Sequence, residues 1–377
     1  MPSASKLVPY ALAGLGLMAA MLQVFMVLNF EINWDEFFYL GWVYDWRNGE
    51  LGLVLQTIFL RFFTWLPAIS DNEVTQIVAA RFIMFVGLSA SCAMLVAIIR
   101  RFYSARAALL SVLLFLSFSF VFRHATSFRA DMILTTLCIM VLWLIMKKHL
   151  IWRDVLIAGV VFGFAGMVSI KAIFYAPTIS LILLAHWARS GWSKDMLIKS
   201  LTMGLVCILF FVGFYALHYS TIPQANSSVD YVSNVAGASL FEAGLFPRWG
   251  IFRAGMIQNI FFWICVGLGF AAVGGKLRQK DTLWMAIASL GFALPLLTIV
   301  FYRHAYPYYY PFMLAPLTLL IAAAFDTRFV RKDTKRSLMV AALIAVNFIM
   351  VAARSAPQNL TAQQQTVAQV HTIFPAP

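Results

Sequence analysis

The sequence predicts an all-α protein that crosses a membrane many times. Of its 377 residues, 62% are hydrophobic and only 11% are charged, whereas a water-soluble domain carries about 25% charged residues. The mean hydropathy is +0.84, and long apolar stretches recur along the whole chain. Together these observations exclude a soluble enzyme, a disulfide-stabilised secreted domain and a disordered chain.

The number of spans follows from the length of these apolar stretches. A spanning helix needs about 20 mostly apolar residues, and about 11 segments meet this requirement loosely. In chain order the segments are 8–30, 75–99, 105–122, 130–147, 152–170, 171–187, 199–218, 256–274, 282–301, 308–325 and 337–353. The first segment has no charged run before it and no short cleavable core, so we expect a retained helix rather than a signal peptide. We expect residues 1–353 to form one transmembrane domain, followed by a short outer tail at 354–377 and no soluble C-terminal domain.

The basic residues orient these spans. Every second connection is basic, and the positive-inside rule places those connections in the cytoplasm. The N-terminus is then cytoplasmic and the C-terminal tail lies outside. The cytoplasmic segments hold 18 of the 28 Lys and Arg residues and five of the 15 Asp and Glu residues, which accounts for the whole net charge of +13. The excess charge therefore orients the protein in its bilayer, and we expect no nucleic-acid partner.

Two outer loops, 31–74 and 219–255, are too long to be simple turns, and long loops tend to carry function. The first contains amphipathic stretches at 37–46 and 51–66 that are rich in Phe, Trp, Tyr and Leu. They predict helices lying in the outer interface, although an ordinary belt of interfacial aromatic residues explains the composition equally well. The second loop holds residues able to bind a sugar or a lipid headgroup: Asp230, Tyr231, Glu242, Arg248, Trp249 and Arg253.

Ionisable residues at the edge of the hydrocarbon are costly and often mark a site. The sequence places a group of them, with neighbouring tyrosines, at the outer ends of the predicted spans: Asp35, Glu36, Arg123, His124, Arg129, Asp131, Lys171, Arg303, His304, Tyr308 and Tyr309. Another cation, Arg81, lies within the second span. Each residue alone has a structural explanation, such as a helix cap for Asp35 or an ion pair between Arg129 and Asp131. Their convergence on one membrane face instead indicates a functional site.

This combination of groups suits a sugar carried on a lipid phosphate. Cations at headgroup depth, such as Lys171, Arg129 or Arg303, can hold the phosphate. They also stabilise the charge that grows on the phosphate when the glycosidic bond breaks. Because a phosphate ester is already a good leaving group, one carboxylate suffices to deprotonate the incoming hydroxyl.

At these residues the sequence resembles the integral-membrane GT-C glycosyltransferases, and in particular the branch of protein O-mannosyltransferases and the lipid A aminoarabinose transferase. The resemblance extends over residues 1–325 and rests on an ordered set of motifs. These are Asp35-Glu36 after the first span, Arg129-Ala130-Asp131 opening the fourth, Lys171 to Pro177 at the start of a later span, and the Tyr- and Pro-rich run from His304 to Pro316.

The resemblance implies a GT-C-like helix bundle and roles for its residues. Asp35 would be the catalytic base, with Glu36 beside it. Lys171, Arg129 and Arg303 would bind the donor phosphate. The supporting or acceptor-side residues would be Asp131, Arg123, His124, His304, Tyr308 and Tyr309.

The resemblance also implies partners and a location. The donor would be a polyprenyl-phosphate-linked sugar, the acceptor a membrane glycolipid, polysaccharide or protein, and the displacement would invert the anomeric carbon. We expect the protein in the bacterial cytoplasmic membrane, with its site on the periplasmic face. No cofactor is firmly predicted. A divalent metal stays open, with Asp35, Glu36, Asp131, His124 and His304 as the ligands available.

Two other functions compete with this one. A transporter or flippase of a lipid-linked or anionic solute would place its ionisable residues near the bilayer midplane, between repeated halves. Here those residues lie at the outer edge and no halves repeat. A non-catalytic membrane subunit would bind a polyprenyl lipid without turnover. The sequence alone identifies neither the sugar nor the acceptor.

Overall fold

The computed structural model describes residues 4–223, 244–279, 282–326, 333–355 and 360–373. Within these ranges the chain is predominantly helical, which confirms the predicted all-α class. In chain order the α-helices are α1 (Ala4–Asn29), α2 (Trp34–Asn48), α3 (Glu73–Ile99), α4 (Ala105–Leu116), α5 (Ser119–His124), α6 (Ala130–Ile145), α7 (Trp152–Val168), α8 (Ala176–Arg189), α9 (Lys194–Tyr219), α10 (Trp249–Gln258), α11 (Ile260–Lys276), α12 (Leu283–Gly291), α13 (Tyr310–Leu314), α14 (Thr318–Phe325), α15 (Thr334–Ser355) and α16 (Leu360–Ile373).

Short 3₁₀ segments join several of these helices. They are Ile58–Phe63, Leu66–Ala68, Ile170–Tyr175, Leu294–Val300, Pro307–Tyr309 and Ala315–Leu317. Proline stands at the start of most of them. Because proline has no N–H to donate and its ring crowds the preceding turn, it interrupts the α-helical hydrogen bonds. The apolar run 307–325 is consequently a series of short helical pieces rather than one helix.

Every predicted span coincides with helix in the described part of the chain. Six helical stretches there are long and apolar enough to cross a membrane, or up to seven if a bent pair is one span. The bent pair is α10 and α11, which meet at an angle of 92°. Others of the predicted eleven, including α4 and α6, are shorter apolar helices. The protein is thus built for a membrane, while the count of 11 spans stays a prediction.

Polar side chains stabilise the bend between α10 and α11. Asn259 stands at the break and is buried. Its amide nitrogen donates to the Ser119 hydroxyl at 2.9 Å and to the Gly255 carbonyl at 2.8 Å, while its side-chain oxygen accepts from the Ser119 N–H at 2.8 Å. The Asn259 side chain therefore bonds a carbonyl near the end of α10 and links the bend to the start of α5.

The bundle has two chemically distinct ends. At one end the predicted cytoplasmic loops meet: Asp326 accepts from the Ser104 N–H at 2.9 Å, and Lys147 pairs with Asp154 at 2.7 Å. We call this the basic end. At the other, which we call the site end, α2 packs beside the start of α3, the α5–α6 junction, the α7–α8 junction and residues 302–309.

The first long outer loop is partly helical, as predicted. Helix α2 covers the stretch 37–46, and the 3₁₀ segment Ile58–Phe63 lies within 51–66. The position of both in the membrane interface stays a prediction. Residues 224–243 of the second loop, with Asp230, Tyr231 and Glu242, lie outside the described residues.

The tail at 354–377 contains a helix that the sequence analysis did not foresee. Helix α16 packs at the site end against α1 and α3, and Leu360 at its start is buried. The site end therefore has a C-terminal neighbour.

Candidate active site

The first turn of α2 positions Asp35. Asn33 precedes the helix with extended backbone, and its side-chain oxygen accepts from the Asp35 N–H at 3.1 Å. In return the Glu36 carboxylate accepts from the Asn33 N–H at 3.2 Å. This reciprocal capping box bonds N–H groups that a helix start otherwise leaves unpaired. It also places two acids where the helix dipole favours them.

Glu36 is fully buried and faces Arg81 of α3. Arg81 Nε lies 2.8 Å from Oε2 and Nη2 lies 2.5 Å from Oε1, and the Phe128 N–H donates to Oε2 at 2.7 Å. Burial by itself raises the pKa of Glu36, but the Arg81 charge and these hydrogen bonds outweigh burial and hold the pKa below its usual value. Glu36 is therefore a charged residue that links α2 to α3 and to the segment before α6.

Four alternating charges connect α2, α6 and the α7–α8 junction. Arg129 Nη1 donates to Asp35 Oδ2, and Arg129 Nε lies 3.3 Å from Asp131 Oδ2. Lys171 Nζ lies 2.5 Å from Asp131 Oδ1. We call Asp35, Arg129, Asp131 and Lys171 the ion chain. Asp131 is the most enclosed member, while the side chains of Asp35 and Lys171 are 18% and 14% exposed. The two ends of the ion chain are thus its most accessible parts.

Tyrosine rings enclose the cations of the ion chain. The Arg129 guanidinium carbon lies 3.4 Å from the centre of the Tyr308 ring and 5.7 Å from that of Tyr39. Lys171 Nζ lies 5.8 Å from the Tyr308 ring and 5.9 Å from the Tyr309 ring. Negative ring faces attract cations, especially where water is scarce. The aromatic run around Tyr308 therefore helps to hold both cations in place.

The turn before α8 fixes Lys171. The Ser169 hydroxyl accepts from the Lys171 N–H at 3.4 Å and donates to Gln56 Oε1 at 3.2 Å. The Gln56 N–H in turn donates to the Met167 carbonyl at 3.2 Å. Gln56 has φ of +66°, a left-handed backbone conformation that is rare and strained for residues other than glycine, although Asn adopts it more readily. Strain next to a candidate phosphate ligand suggests that the first outer loop is held in a specific shape there.

The other predicted residues lie around the ion chain at different depths. Arg123 Nε donates to the Ser355 hydroxyl at 2.9 Å, so it is directed toward α15. The His124 ring packs edge-on against Phe30, and burial lowers the pKa of His124 to about 4. Tyr309 is buried, with its hydroxyl 2.8 Å from that of Thr298. These residues frame the site, and only Tyr309 reaches a member of the ion chain.

Basic side chains form a rim beside Lys171. Arg248 Nε donates to the Arg303 carbonyl at 3.0 Å, and its guanidinium carbon stacks 4.2 Å from the Tyr306 ring centre. Arg303 is exposed. Burial, together with the charges of Lys171, Arg303 and Arg248, lowers the pKa of His304. We call Arg248, Arg303 and His304 the basic rim.

The side chains available to a divalent metal do not form a preformed metal site in the described structure. In the part of the chain that the structure describes, no group of three or more His, Cys, Asp or Glu side chains is arranged to hold an ion. Glu36 binds Arg81 and two backbone N–H groups, and Asp131 binds Arg129 and Lys171. Their oxygens are already bonded to protein donors, so we derive no step through a metal.

The sequence predicts the four members of the ion chain as site residues, but it does not predict how they pair and misses three residues that surround them. The sequence places Arg81 within the second span but gives it no partner. Tyr39 and Gln56 carry no sequence signal, because their roles depend on contacts with Arg129 and Ser169 that are distant in the chain. A buried cation in a span does predict an acidic partner. The position of Arg81 within the second span was therefore the one sequence signal that could have predicted its ion pair.

The comparisons with known proteins agree with this geometry. Residues 57–215 match the family described as dolichyl-phosphate-mannose-protein mannosyltransferase. That range includes Arg81, Arg129, Asp131 and Lys171, whereas Asp35 and Glu36 precede it. Among curated proteins, no sequence matches the chain significantly.

The fold is similar to that of the oligosaccharyltransferase of Archaeoglobus fulgidus. Its crystal structure in complex with Zn and sulfate has a TM-score of 0.58 at 12% identity and covers 92% of this chain and 53% of that one. The apo form has a TM-score of 0.58 at 11% identity and covers 97% of this chain and 58% of that one. The archaeal enzyme, AglB, in complex with an inhibitory peptide and a dolichol-phosphate has a TM-score of 0.55 at 12% identity. That structure covers 93% of this chain and 56% of its own. The chain spans little more than half the length of these structures.

The two comparisons together confirm the resemblance stated from the sequence. The helix bundle has a fold similar to that of the archaeal oligosaccharyltransferase, and residues 57–215 match the mannosyltransferase family model.

Proposed function

We propose that this chain transfers a sugar from a polyprenyl-phosphate donor to the hydroxyl of a membrane glycolipid, polysaccharide or protein, with inversion at the anomeric carbon. The observation that carries the proposal is the ion chain, in which two carboxylates and two cations meet at one end of a membrane bundle. The archaeal neighbour in complex with a dolichol-phosphate supports a lipid-phosphate donor. A polyprenyl phosphate is the bacterial form of that chemistry.

Asp35 is the proposed base. Arg129 bonds Oδ2 of Asp35, so Oδ1 can accept the proton of the acceptor hydroxyl. As that oxygen attacks the anomeric carbon, the bond between this carbon and the phosphate oxygen breaks and the lipid phosphate leaves with the bonding electrons. Attack from the face opposite the phosphate inverts the anomeric configuration. Proton transfer of this kind contributes about 10²- to 10⁴-fold to a rate.

Lys171 and Arg129 are the proposed donor-phosphate ligands. Lys171 Nζ has three N–H groups and gives one to Asp131, which leaves two for phosphate oxygens. Within the ion chain the two acids balance the two cations. A negatively charged donor therefore gains from a further cation, and Arg303 of the basic rim is the predicted one. Charge-assisted contacts of this kind strengthen as charge develops on the leaving phosphate.

Glu36 and Asp131 take supporting roles in this proposal. Glu36 is buried against Arg81, so we assign it the positioning of α2 rather than contact with substrate. Asp131 binds both proposed phosphate ligands and sets their separation. His124, Arg123 and Tyr309 support the surroundings, and His304 and Tyr308 lie on the side where an acceptor or donor headgroup would enter.

We further propose that the site end faces the periplasm of a bacterial cell and the basic end its cytoplasm. The basic loops support this orientation, since Lys and Arg are enriched on the cytoplasmic side of membrane proteins. The acceptor would then approach from the outer leaflet or the periplasm. A transporter or flippase is less well supported, because the candidate charges cluster at one end of the bundle rather than at its middle.

The decisive experiment measures sugar transfer from a panel of labelled polyprenyl-phosphate hexoses and pentoses into membrane acceptors. We expect Asp35→Asn to lower turnover by about 10²- to 10⁴-fold. Glu31→Gln is the matched control, because Glu31 is an exposed acid four residues earlier, and it should retain activity. Near wild-type turnover in a well-folded Asp35→Asn protein would rule out Asp35 as the base. Movement of solute across sealed vesicles without transfer would favour the transporter.

A further inference from the structure

The C-terminal helix α16 contacts the segment that leads into the proposed catalytic turn. The side-chain oxygen of Gln363 accepts from the Ile32 N–H at 2.7 Å, and its amide nitrogen donates to the Ile32 carbonyl at 3.0 Å. Both backbone groups of one residue are thus bonded to one carboxamide, 331 residues away in the chain. Ile32 lies three residues before Asp35.

The rest of this segment is held by residues of α3 and α2. Arg81 donates to the carbonyls of Phe30 at 2.7 Å and of Glu31 at 2.9 Å, and Glu36 accepts from the Asn33 N–H at 3.2 Å. These contacts leave the backbone groups of Ile32 to be bonded by another part of the chain. Gln363 supplies those bonds, so the linker between α1 and α2 is held by α16 as well as by α3 and α2.

Two more polar contacts attach α16 to the start of α3. Asn72 Nδ2 donates to the Gln364 carbonyl at 3.2 Å, and His371 Nε2 lies 2.9 Å from Glu73 Oε2. The contacts occur along the length of α16, from Gln363 to His371. Because they fall on both the α1–α2 linker and α3, the helix docks on the two elements that orient the first turn of α2.

We propose that Gln363 is a positioning residue for the reaction, and that α16 is a brace that sets the location of Asp35. This inference rests on the proposed function, in which Asp35 is the base. Gln363 acts through the backbone of Ile32. Without its carboxamide, a buried N–H and carbonyl lose their partners, and the linker loses one of its two attachments.

A small displacement of Asp35 is enough to affect catalysis. General-base catalysis needs the carboxylate within about 2.6–3.2 Å of the acceptor hydroxyl, and a misplacement of about 1 Å can cost about 100-fold in rate. In the proposed function the donor phosphate binds Lys171 and Arg129, whose hydrogen bonds and ion pairs in the described structure go to Asp35, Asp131 and Ser169 rather than to α16. Loosening the brace should therefore lower kcat much more than it changes KM for the donor.

The test compares Gln363→Ala with Gln365→Ala in the full chain, reconstituted in lipid nanodiscs. Gln365 is exposed on the same helix, so its loss should change neither kcat nor local exchange. For Gln363→Ala we expect kcat to fall roughly 10- to 100-fold, with less than about a twofold change in donor KM. We also expect faster hydrogen–deuterium exchange in residues 30–37, with exchange in α6 unchanged.

A third variant keeps the test informative if Gln363→Ala unfolds. Gln363→Glu retains an acceptor for the Ile32 N–H but loses the donor to the Ile32 carbonyl, so its kcat and its exchange in residues 30–37 should lie between those of wild type and Gln363→Ala. Wild-type exchange and wild-type kcat in a folded Gln363→Ala protein would overturn the proposal. So would an equal loss in the Gln365→Ala control.

The exchange measurement separates this proposal from the proposed function. If the wild-type chain transfers no sugar from any donor tested, the assigned reaction fails, yet the Ile32 amide should still exchange faster in Gln363→Ala. If transfer occurs and requires Asp35 but is insensitive to Gln363, the reaction stands and the brace is rejected.

Discussion

Arg81 and Glu36 form a bidentate ion pair that is almost completely shielded from solvent, with side chains 2% and 1% exposed. Arg81 lies within α3, and the same guanidinium donates to the carbonyls of Phe30 and Glu31. One buried cation therefore fixes the end of α1, the linker and the first turn of α2. The same contacts also determine the position of Asp35, since it is the residue next to Glu36.

Breaking this pair should destabilise the protein. Arg81→Ala leaves the Glu36 carboxylate buried without its cation, and the loss of one partner of a buried pair costs about 3–5 kcal/mol. Replacing both partners by apolar residues, as in Glu36→Leu with Arg81→Met, should recover much of that free energy of unfolding. Thermal unfolding in detergent measures both. An Arg81→Ala protein as stable as wild type would contradict the conclusion that the Arg81–Glu36 pair stabilises the fold.

The same pair predicts a dependence of stability on pH. The pKa of Glu36 in the folded protein lies below its ordinary value of 4.5, so its contribution to stability is complete above about pH 4.5. That contribution is lost as the pH falls through the lower, folded pKa. The stability difference between wild type and Glu36→Gln should therefore shrink between pH 6 and pH 3, as measured by thermal unfolding. A difference that stays constant over this range would contradict the expectation.

Much of this architecture could be predicted from sequence because the bilayer constrains it so strongly. Backbone polar groups in lipid must bond within a helix, so apolar runs identified helical positions along the chain. The four residues of the ion chain were also expected near one another, since charges such as Asp131 and Lys171 at the ends of apolar runs are costly, but most of their pairings were not predicted. The contact between Arg129 and Asp131 forms because Arg129 precedes α6 with extended backbone, which directs its side chain back toward the first turn of the helix.

The other parts of the site depend on contacts between residues far apart in the chain, which sequence spacing does not predict. Nothing in the sequence pairs Gln363 with Ile32, because both partners are ordinary residues separated by most of the chain. The sequence predicts only a short outer tail at 354–377, whereas α16 within it docks on the site end. Glu36 was grouped with Asp35 because the two are adjacent, but successive helical residues point in different directions, and only Asp35 reaches Arg129.

Lys171→Ala should weaken donor binding. If the contact to phosphate is charge-assisted and buried, we expect a loss of about 2–4 kcal/mol in donor affinity. The substitution also leaves Asp131 with Arg129 as its remaining cation, which draws Arg129 away from the donor. Titration with a polyprenyl-phosphate sugar measures the change. Lys148→Ala, an exposed lysine at the basic end, is the control, and unchanged donor affinity in Lys171→Ala would reject the role.

Tyr308 should act through its ring rather than its hydroxyl. Its ring centre lies 3.4 Å from the Arg129 guanidinium carbon, and a desolvated cation–π contact is worth about 2 kcal/mol. We therefore expect Tyr308→Ala to weaken donor binding by about 10- to 30-fold and Tyr308→Phe to bind the donor like wild type. Binding titrations of the two variants decide the matter. A loss of equal size in both would instead assign the effect to the hydroxyl.

Gly269 should be essential for the packing of α11 against α14. A Cβ at this position would lie 2.3 Å from the carbonyl oxygen of Leu320 and 2.7 Å from its carbonyl carbon, and backbone atoms within packed helices cannot move aside cheaply. Gly269→Ala should therefore lower the free energy of unfolding by about 1–3 kcal/mol through overpacking. Gly267 on the same helix faces open space, so Gly267→Ala should leave stability unchanged or slightly raised. Thermal unfolding of the two variants tests the contrast, and equal melting temperatures would show that α11 and α14 do not approach this closely.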